Sequence, residues 1–342
     1  MLTTKKTEKE KMKILYTLTF ILSVISSYSA MPEMDRDYSE YFSDGLRRFD
    51  SCIYKTAFYN FAAAVIKSTC EKEKKEALKW KERCERCWKN RDTADYYYRS
   101  HKFENALLHY AVVVRENKND SYCNNYFKLC CEKFFCSLKH DNMVFVQGGT
   151  FTMGNSNSLS NEGPAHIVKL DGFYMDENEV TNLEYAVYLN ITGSAKDSEG
   201  NLKIDLDNKK CKIHLRKGVF VVDEGYENAS VTAVSWYGAE GYAVWAGKSL
   251  PSEAEWEYAF SKREELKISN LDSSLPEWCQ DWYFENFYTK EKQRNPLPIE
   301  KSDYKVFRGS GQVEGMKTKR DFSFPNDCNG NIGFRCIIKK NI

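Results

Sequence analysis

Two different patterns of apolar and polar positions follow one another along the chain. In the second half, apolar and polar residues alternate over residues 143–154 on both sides of a Gly-Gly pair, which predicts a strand, a turn and a strand. Another strand is predicted over residues 168–175. Thr181 and Ser252 each stand three residues before a Glu, the spacing of a capping box, so a helix is predicted to begin at each of them.

The first half carries a helical pattern that occurs twice. The two copies, each an aromatic, a small and an aromatic residue, are Tyr54, Ala57 and Phe61, and Phe103, Ala106 and Tyr110. A small residue between two aromatics lets neighbouring helices approach closely. The pattern resembles part of the tetratricopeptide pattern of stacked helix pairs, although its copies are 49 residues apart rather than 34. A helical bundle without a binding role is the alternative.

Glycine usage divides the chain. Of the 18 glycines, only Gly45 lies within residues 1–147, and the other 17 follow. Because glycine costs a helix interior about 1 kcal/mol relative to alanine, this distribution favours helices first and a turn-rich region afterwards. We therefore predict an all-α, repeat-like domain over residues 31–141 and a second domain over residues 142–342.

The first thirty residues have the features of a secretory signal peptide. Lys11 and Lys13 precede an apolar run over residues 14–25, and small and polar residues follow up to Ala30. The run is shorter than the ~20 residues of a membrane-spanning helix, so no transmembrane segment is predicted. A buried N-terminal helix is the alternative. Export would place the protein in a secreted or periplasmic location, with cleavage near Ala30, which N-terminal sequencing of the mature protein can check.

Composition narrows the possible partners. The 50 Lys and Arg residues balance 49 Asp and Glu, which argues against a nucleic-acid partner or a charged membrane surface. Aromatic residues are abundant, with 20 Phe, 22 Tyr and 7 Trp, and suit either a core or a recognition surface. In an oxidising compartment, disulfides are expected for many of the 12 cysteines. The five histidines show no metal-ligand spacing.

Four strings in the second half point to one family. They are Glu-Val-Thr-Asn at residues 179–182, Trp-Ala-Gly-Lys-Ser-Leu-Pro-Ser-Glu-Ala-Glu-Trp-Glu at 245–257, Pro-Glu-Trp-Cys-Gln-Asp-Trp-Tyr at 276–283 and Gly-Phe-Arg-Cys at 333–336. Together they resemble the sulfatase-modifying-factor (formylglycine-generating-enzyme) domain family. The resemblance implies an α+β fold of the C-type-lectin-like kind. The motif positions that we interpret as scaffold are Thr181, Glu184, Trp236, Ser252, Glu255, Trp256, Trp278, Arg308 and Arg335.

The chain departs from the family where the family's chemistry lies. The resemblance implies a copper ion held by two cysteines just after an Arg-Gly-Gly-Ser segment, but residues 308–320 contain no cysteine. Cys328 is the single cysteine between Arg308 and Arg335, and a disulfide is predicted for Cys328 and for Cys336. The residues that hold calcium in relatives are also missing. We therefore assign no catalytic, cofactor-binding or metal-binding residue and expect neither copper nor calcium.

Three functions compete at this point. The first is an exported, non-catalytic binding or scaffold module with a protein or glycan ligand. The second is a formylglycine-generating oxidoreductase that acts on a sulfatase cysteine. The third is a different enzyme built on the same domain. The missing cysteine pair favours the first.

Overall fold

A computed structural model describes residues 36–140, 142–157, 160–272, 275–289, 291–298, 300–310, 317–328 and 331–340. The predicted signal peptide, residues 1–30, lies outside the described residues. The chain divides into two compact units, residues 1–88 and 89–342. None of the helices in the described ranges has the length and apolar character that a membrane crossing requires.

The first unit is helical. It contains α1 (Tyr38–Asp50), α2 (Tyr54–Lys67) and the first part of α3 (Glu71–Arg99). A β-carbon on Gly45 would lie 2.7 Å from the ring of Phe61, so the glycine permits α1 to approach α2. Phe61 also stacks on Trp80, with ring centroids 5.7 Å apart. The close contact of these helices fits a helix stack and a simple bundle equally well.

The second unit begins inside α3 and contains two more helices, α4 (Phe103–Glu116) and α5 (Ser121–His140). The buried face of α4 includes Ala106 and Tyr110, two residues of the second copy of the pattern. Helix α4 packs against α6 (Asn182–Thr192). Arg115 joins them, since its guanidinium donates to the carbonyl oxygens of Asn190 at 3.3 Å and Gly218 at 3.0 Å.

Short strands and three helices form the rest of the second unit. The strands are β1 (Met143–Val146), β2 (Gly149–Met153), β3 (His166–Leu170), β4 (Phe173–Asp176), β5 (Ile213–Arg216), β6 (Val219–Val222), β7 (Glu277–Trp282), β8 (Gln293–Arg294), β9 (Lys305–Arg308), β10 (Asp321–Ser323) and β11 (Ile337–Lys339). They form sheets in the orders β1-β4-β11, β10-β9-β7 and β2-β3-β8, and the hairpin β5-β6. All pairs are antiparallel except β3 with β8.

Local sequence signals fix the ends of the helices α6, α7 (Trp236–Trp245) and α8 (Glu253–Leu266). The two predicted capping boxes form, at Thr181 for α6 and at Ser252 for α8, and Ser235 caps α7. After α7 the chain turns at Gly247, whose φ of +71° is readily available to glycine. These caps hold the first residues of α8 in place.

The domain boundary predicted near residue 141 does not coincide with the division between the two compact units. That division falls between Trp88 and Lys89, and α4 lies in the same unit as α6, against which it packs. The mixed α and β content of residues 142–342 agrees with the predicted α+β class. Whether residues 142–342 fold by themselves stays a prediction.

Trp256 lies at the centre of the second unit's core. The side chain is completely buried, its ring stacks on Phe260, and its indole N–H donates to the Glu277 carboxylate at 3.1 Å. The core around it includes Val168, Met175 and Val306.

We predict that Trp256→Ala lowers the free energy of unfolding by about 3–5 kcal/mol, because it leaves a cavity and removes a donor from a buried carboxylate. Denaturant unfolding followed by circular dichroism measures the change. Phe324→Ala, at a residue that is 56% exposed, is the control and should change stability by about 0.5 kcal/mol or less. Equal effects of the two substitutions would contradict the central position of Trp256.

Candidate functional site

A cluster of buried charges lies at the junction of α8 and β9. Arg308 donates to Glu253 and to Glu257, with N–O distances of 2.7 Å each. Arg320 donates from two nitrogens to Glu253, at 2.6 and 3.0 Å. All four side chains are nearly inaccessible to solvent. We call Glu253, Glu257, Arg308 and Arg320 the ionic cluster.

Helix α8 positions the two carboxylates. Glu253 is its first residue and Glu257 follows one turn later on the same face, so both meet the end of β9. Carboxylates are favoured near a helix N-terminus, where backbone N–H groups are free. The N–H of Glu253 donates to Asp281 at 2.7 Å, and the hydroxyl of Tyr288 donates to the Glu253 carboxylate at 3.2 Å. Each charged group therefore has a bonded partner.

The electrostatics of the ionic cluster set different charge states for neighbouring carboxyl groups. Burial acts to raise the pKa of Glu253, but the guanidinium groups of Arg320 and Arg308 hold it below its usual value. Asp281 receives no comparable compensation. Burial, with the nearby charge of Glu253, raises the pKa of Asp281 to about 8. Such a group is neutral near pH 7 and binds a proton that the unfolded chain would release.

A row of aromatic rings lies beside the ionic cluster. Tyr283 stacks on Phe322 with centroids 3.9 Å apart, and Tyr304 contacts Phe322 and Phe324 at 5.1 and 4.7 Å. We call these four residues the aromatic ladder. Phe322 is 41% exposed and Phe324 56% exposed, and β10, which carries Phe322, is an edge strand. The guanidinium of Arg320 lies 5.2 Å from the Tyr283 ring centroid, which links the ladder to the ionic cluster.

Lys305, the first residue of β9, contacts two tryptophan rings. Its ammonium nitrogen lies 3.8 Å from the ring centroids of both Trp236 and Trp282 and donates to the carbonyl oxygen of Gln280 at 2.8 Å. Burial lowers the pKa of Lys305 to about 8. The two indole faces stabilise the ammonium by cation–π interaction, while burial favours its loss of a proton.

Arg335 forms the centre of another buried group. It donates to Glu277 through two nitrogens, at 2.8 to 3.0 Å, and to the carbonyl oxygens of Asp176 and Glu177. Trp278 is also fully buried and donates to the carbonyl oxygen of Val234 at 3.0 Å. Arg335 and Trp278 are thus both held by buried hydrogen bonds, and their scaffold role stays a prediction.

The remaining motif residues also serve the framework. Thr181 and Ser252 cap helices with Glu184 and Glu255. Trp236 is half-buried and donates to the carbonyl oxygen of Cys279 at 2.8 Å. Sequence reasoning missed Glu253, Arg320, Lys305 and the aromatic ladder. The spaced aromatics around β9 and β10 were the available signal for the ladder.

The predicted disulfides do not form in the structure. Cys328 and Cys336 are both free thiols in the structure, so the disulfide predicted for each is absent there. Cys336 is enclosed in the core, where its backbone N–H donates to Asp176 at 3.0 Å. The Cys328 thiol is instead directed at the carbonyl oxygen of Asn326, at 3.7 Å.

The residues present do not fit the copper ion that the resemblance implies. Cu(I) favours thiolate ligands, and the family's two positions lie in a stretch without cysteine. Burial raises the pKa of Cys279 and of Cys336 well above the usual value, which keeps both as thiols. Within the described ranges, no three His, Cys, Asp or Glu side chains are grouped to hold a metal ion.

Comparison with known proteins identifies the domain. Residues 133–274 match the family model described as "Sulfatase-modifying factor enzyme 1-like domain". Formylglycine-generating enzyme from Streptomyces coelicolor is 26% identical over 275 residues, which cover 56% of this chain and 88% of that protein. The mouse enzyme of the same name is 34% identical over 144 residues, 34% of this chain and 39% of that protein. The C-terminal half of this chain therefore contains a sulfatase-modifying-factor domain.

Other relatives carry a different name. Serine/threonine-protein kinase Pkn1 of Chlamydia trachomatis is 33% identical over 233 residues, which cover 57% of this chain and 38% of that protein. The chain thus spans well under half of the length of this relative. Among solved structures, Treponema denticola variable protein 1 is 17% identical, with a TM-score of 0.39 and coverage of 58% of this chain and 95% of that one. That score is below the level at which a shared fold can be argued.

We predict that Asp281→Asn reduces the loss of stability that occurs as pH rises from about 4 to about 8. The folded-state pKa of about 8 lies above the unfolded value, so wild-type folding takes up a proton in this window and becomes less favourable with rising pH. Denaturant unfolding at several pH values measures the two slopes. Asp272→Asn, at an exposed side chain, is the control. Identical slopes for wild type and Asp281→Asn would contradict the assignment.

Proposed function

We propose that this protein is an exported, non-catalytic binding or scaffold module built on a sulfatase-modifying-factor domain. The first unit and the helices α4 and α5 serve assembly in this proposal, through tetratricopeptide-like stacking. The second half adopts a C-type-lectin-like frame and binds a protein or glycan ligand. Export rests on the charged and apolar pattern of residues 1–30.

The state of the cysteines carries the non-catalytic part of the proposal. A thiol must lose its proton to become a good copper ligand or nucleophile. Cys279 and Cys336 are fully buried, and burial favours their protonated forms. Cys328 is the single cysteine between Arg308 and Arg335, and burial raises its pKa to about 12. No pair of reactive thiols is thus available at the position where the family needs one.

The aromatic ladder supports the binding part. Phe322 and Phe324 leave much of their ring surface exposed, whereas their ring neighbours Tyr283 and Tyr304 are half-buried. Exposed rings held by rigid neighbours lose little conformational freedom on binding, which suits them to contacts with a sugar ring or an apolar side chain. The ionic cluster supplies that rigidity through Arg320 and Tyr283.

Formylglycine generation remains the alternative, because relatives with that name match the domain. The kinase named among the relatives does not supply a third candidate. Only 38% of that protein is matched, so the kinase activity in its name is not proposed for this chain.

We predict that the copper-loaded protein forms no aldehyde on a peptide with the sulfatase-type Cys-x-Pro-x-Arg motif, because it lacks the two thiolates that would hold the metal. Mass spectrometry of the peptide detects the aldehyde, and the Streptomyces coelicolor enzyme is the positive control. Aldehyde formation that disappears in Cys328→Ala or Cys279→Ala would overturn the proposal and establish a rearranged site.

We predict that the double variant Phe322→Ser, Phe324→Ser loses ligand binding while its fold is retained, since both side chains are exposed. A saccharide array probed with labelled protein tests the glycan ligand. Leu215→Ser on β5, where the side chain is 53% exposed, is the matched control and should bind like wild type. Array binding that both variants retain would contradict a role for the ladder. The absence of any saccharide binding would remove the glycan ligand from the proposal.

A further inference from the structure

A polar cavity of about 360 Å³ lies between the end of β4 and the start of α6, apart from the aromatic ladder and the ionic cluster. Its size is in the range of small-molecule sites. Its walls include Asp176, Glu179, Glu184, Tyr242 and Lys248, and asparagine side chains stand around it. Several of these side chains take part in the helix caps and ion pairs of the fold. Two features of the cavity are not explained by such structural contacts.

The first feature is the hydroxyl group of Tyr242. The side chain is 1% exposed, and its ring is fixed by contacts to Tyr185 and Phe334, with centroids 5.8 and 5.5 Å away. The hydroxyl oxygen is buried and has no hydrogen-bond partner among the described residues. A buried hydroxyl without a partner has lost its hydrogen bonds to water and gained none in return, which is unfavourable. Because Tyr242 lines the cavity, a molecule inside the cavity can supply the missing partner.

The second feature is an excess of negative charge. Lys248 lies 2.6 Å from Asp176, so these two charges compensate each other. The Glu184 carboxylate accepts from the N–H and the hydroxyl of Thr181, both at 2.8 Å; the charge of Lys248 also acts on it, but in the described ranges no Lys or Arg lies at ion-pair distance from it. Glu179 lies 3.7 Å from Arg335, which is bound more closely by Glu277. Burial accordingly raises the pKa of Glu184 and of Glu179.

We infer that this cavity binds a ligand carrying a primary ammonium group, which pairs with Glu184 and hydrogen-bonds to the oxygen of Tyr242. An ammonium has three N–H donors and a single positive charge, so it can satisfy both features at once. The carboxylates here are not grouped to hold a metal ion within the described ranges, which favours an organic cation. The ammonium can belong to a free amine or to the lysine side chain of a polypeptide.

The first experiment measures binding of n-butylamine to the full chain by isothermal titration calorimetry, with n-butanol as the neutral control of similar shape. We expect butylamine to bind and butanol not to bind. The binding of Nα-acetyl-lysine amide and of its Nε-acetylated form is then measured in the same way. This comparison distinguishes a lysine side chain from a small free amine as the preferred source of the ammonium. Equal binding of butylamine and butanol, or no binding of either amine, would overturn the inference.

Two variants separate ligand binding from structural effects. Tyr242→Phe removes a hydroxyl that bonds to no described residue, and Glu184→Gln keeps a side chain that can complete the capping box. We expect each to weaken butylamine binding about tenfold or more, because each removes a hydrogen bond or charge that the ligand needs. Thermal unfolding without ligand should show no lowering of the midpoint for Tyr242→Phe.

The outcome is independent of the proposed function of the aromatic ladder. The double variant Phe322→Ser, Phe324→Ser should bind butylamine as wild type does, since neither residue lines the cavity. Unchanged affinity in both Tyr242→Phe and Glu184→Gln would show that the ammonium binds elsewhere and would overturn the inference. Loss of affinity in these variants alone supports it.

Discussion

The carboxylate of Glu253 is the contact on which much of the second unit depends. It accepts hydrogen bonds from Arg308, Arg320 and Tyr288, and these residues come from separate parts of the chain. Burying two guanidinium groups is unfavourable unless each meets an oppositely charged partner. A single carboxylate at the start of α8 therefore fixes the end of β9, the segment before β10 and the region of Tyr288 in one arrangement.

Trp256 joins this arrangement to the second buried charge group. The guanidinium of Arg308 lies 5.6 Å from the ring centroid of Trp256. The indole N–H of Trp256 donates to Glu277, the partner of Arg335. The two ion groups thus lie on either side of one tryptophan. Because buried ions tolerate little displacement, this arrangement favours a single conformation over a loosely packed core.

Local signals allowed much of the second half to be predicted from the sequence. Each capping box involves residues three positions apart, so Thr181 with Glu184 and Ser252 with Glu255 can be recognised without tertiary information. The pairing of Glu253 with Arg320 spans 67 positions and has no local signature. The motif indicated that residue 253 opens a helix but gave no sign that its side chain would bind two arginines.

Two expectations from the sequence concern features that depend on contacts between distant segments. A disulfide was expected for Cys336 because of the exported context, yet the packing of β11 against β4 encloses this residue beside Asp176. Glycine content suggested a division near residue 141, but it reports local flexibility and carries no information about α4 packing on α6.

The contact of Lys305 with Trp236 and Trp282 has a consequence of its own. The ammonium lies against two of the chain's seven tryptophans, and burial lowers its pKa to about 8. A charge next to an indole ring alters the fluorescence of that ring. Strand β9 therefore places a titrating lysine against two indole rings, so that its change of charge, together with that of Asp281, acts on their emission.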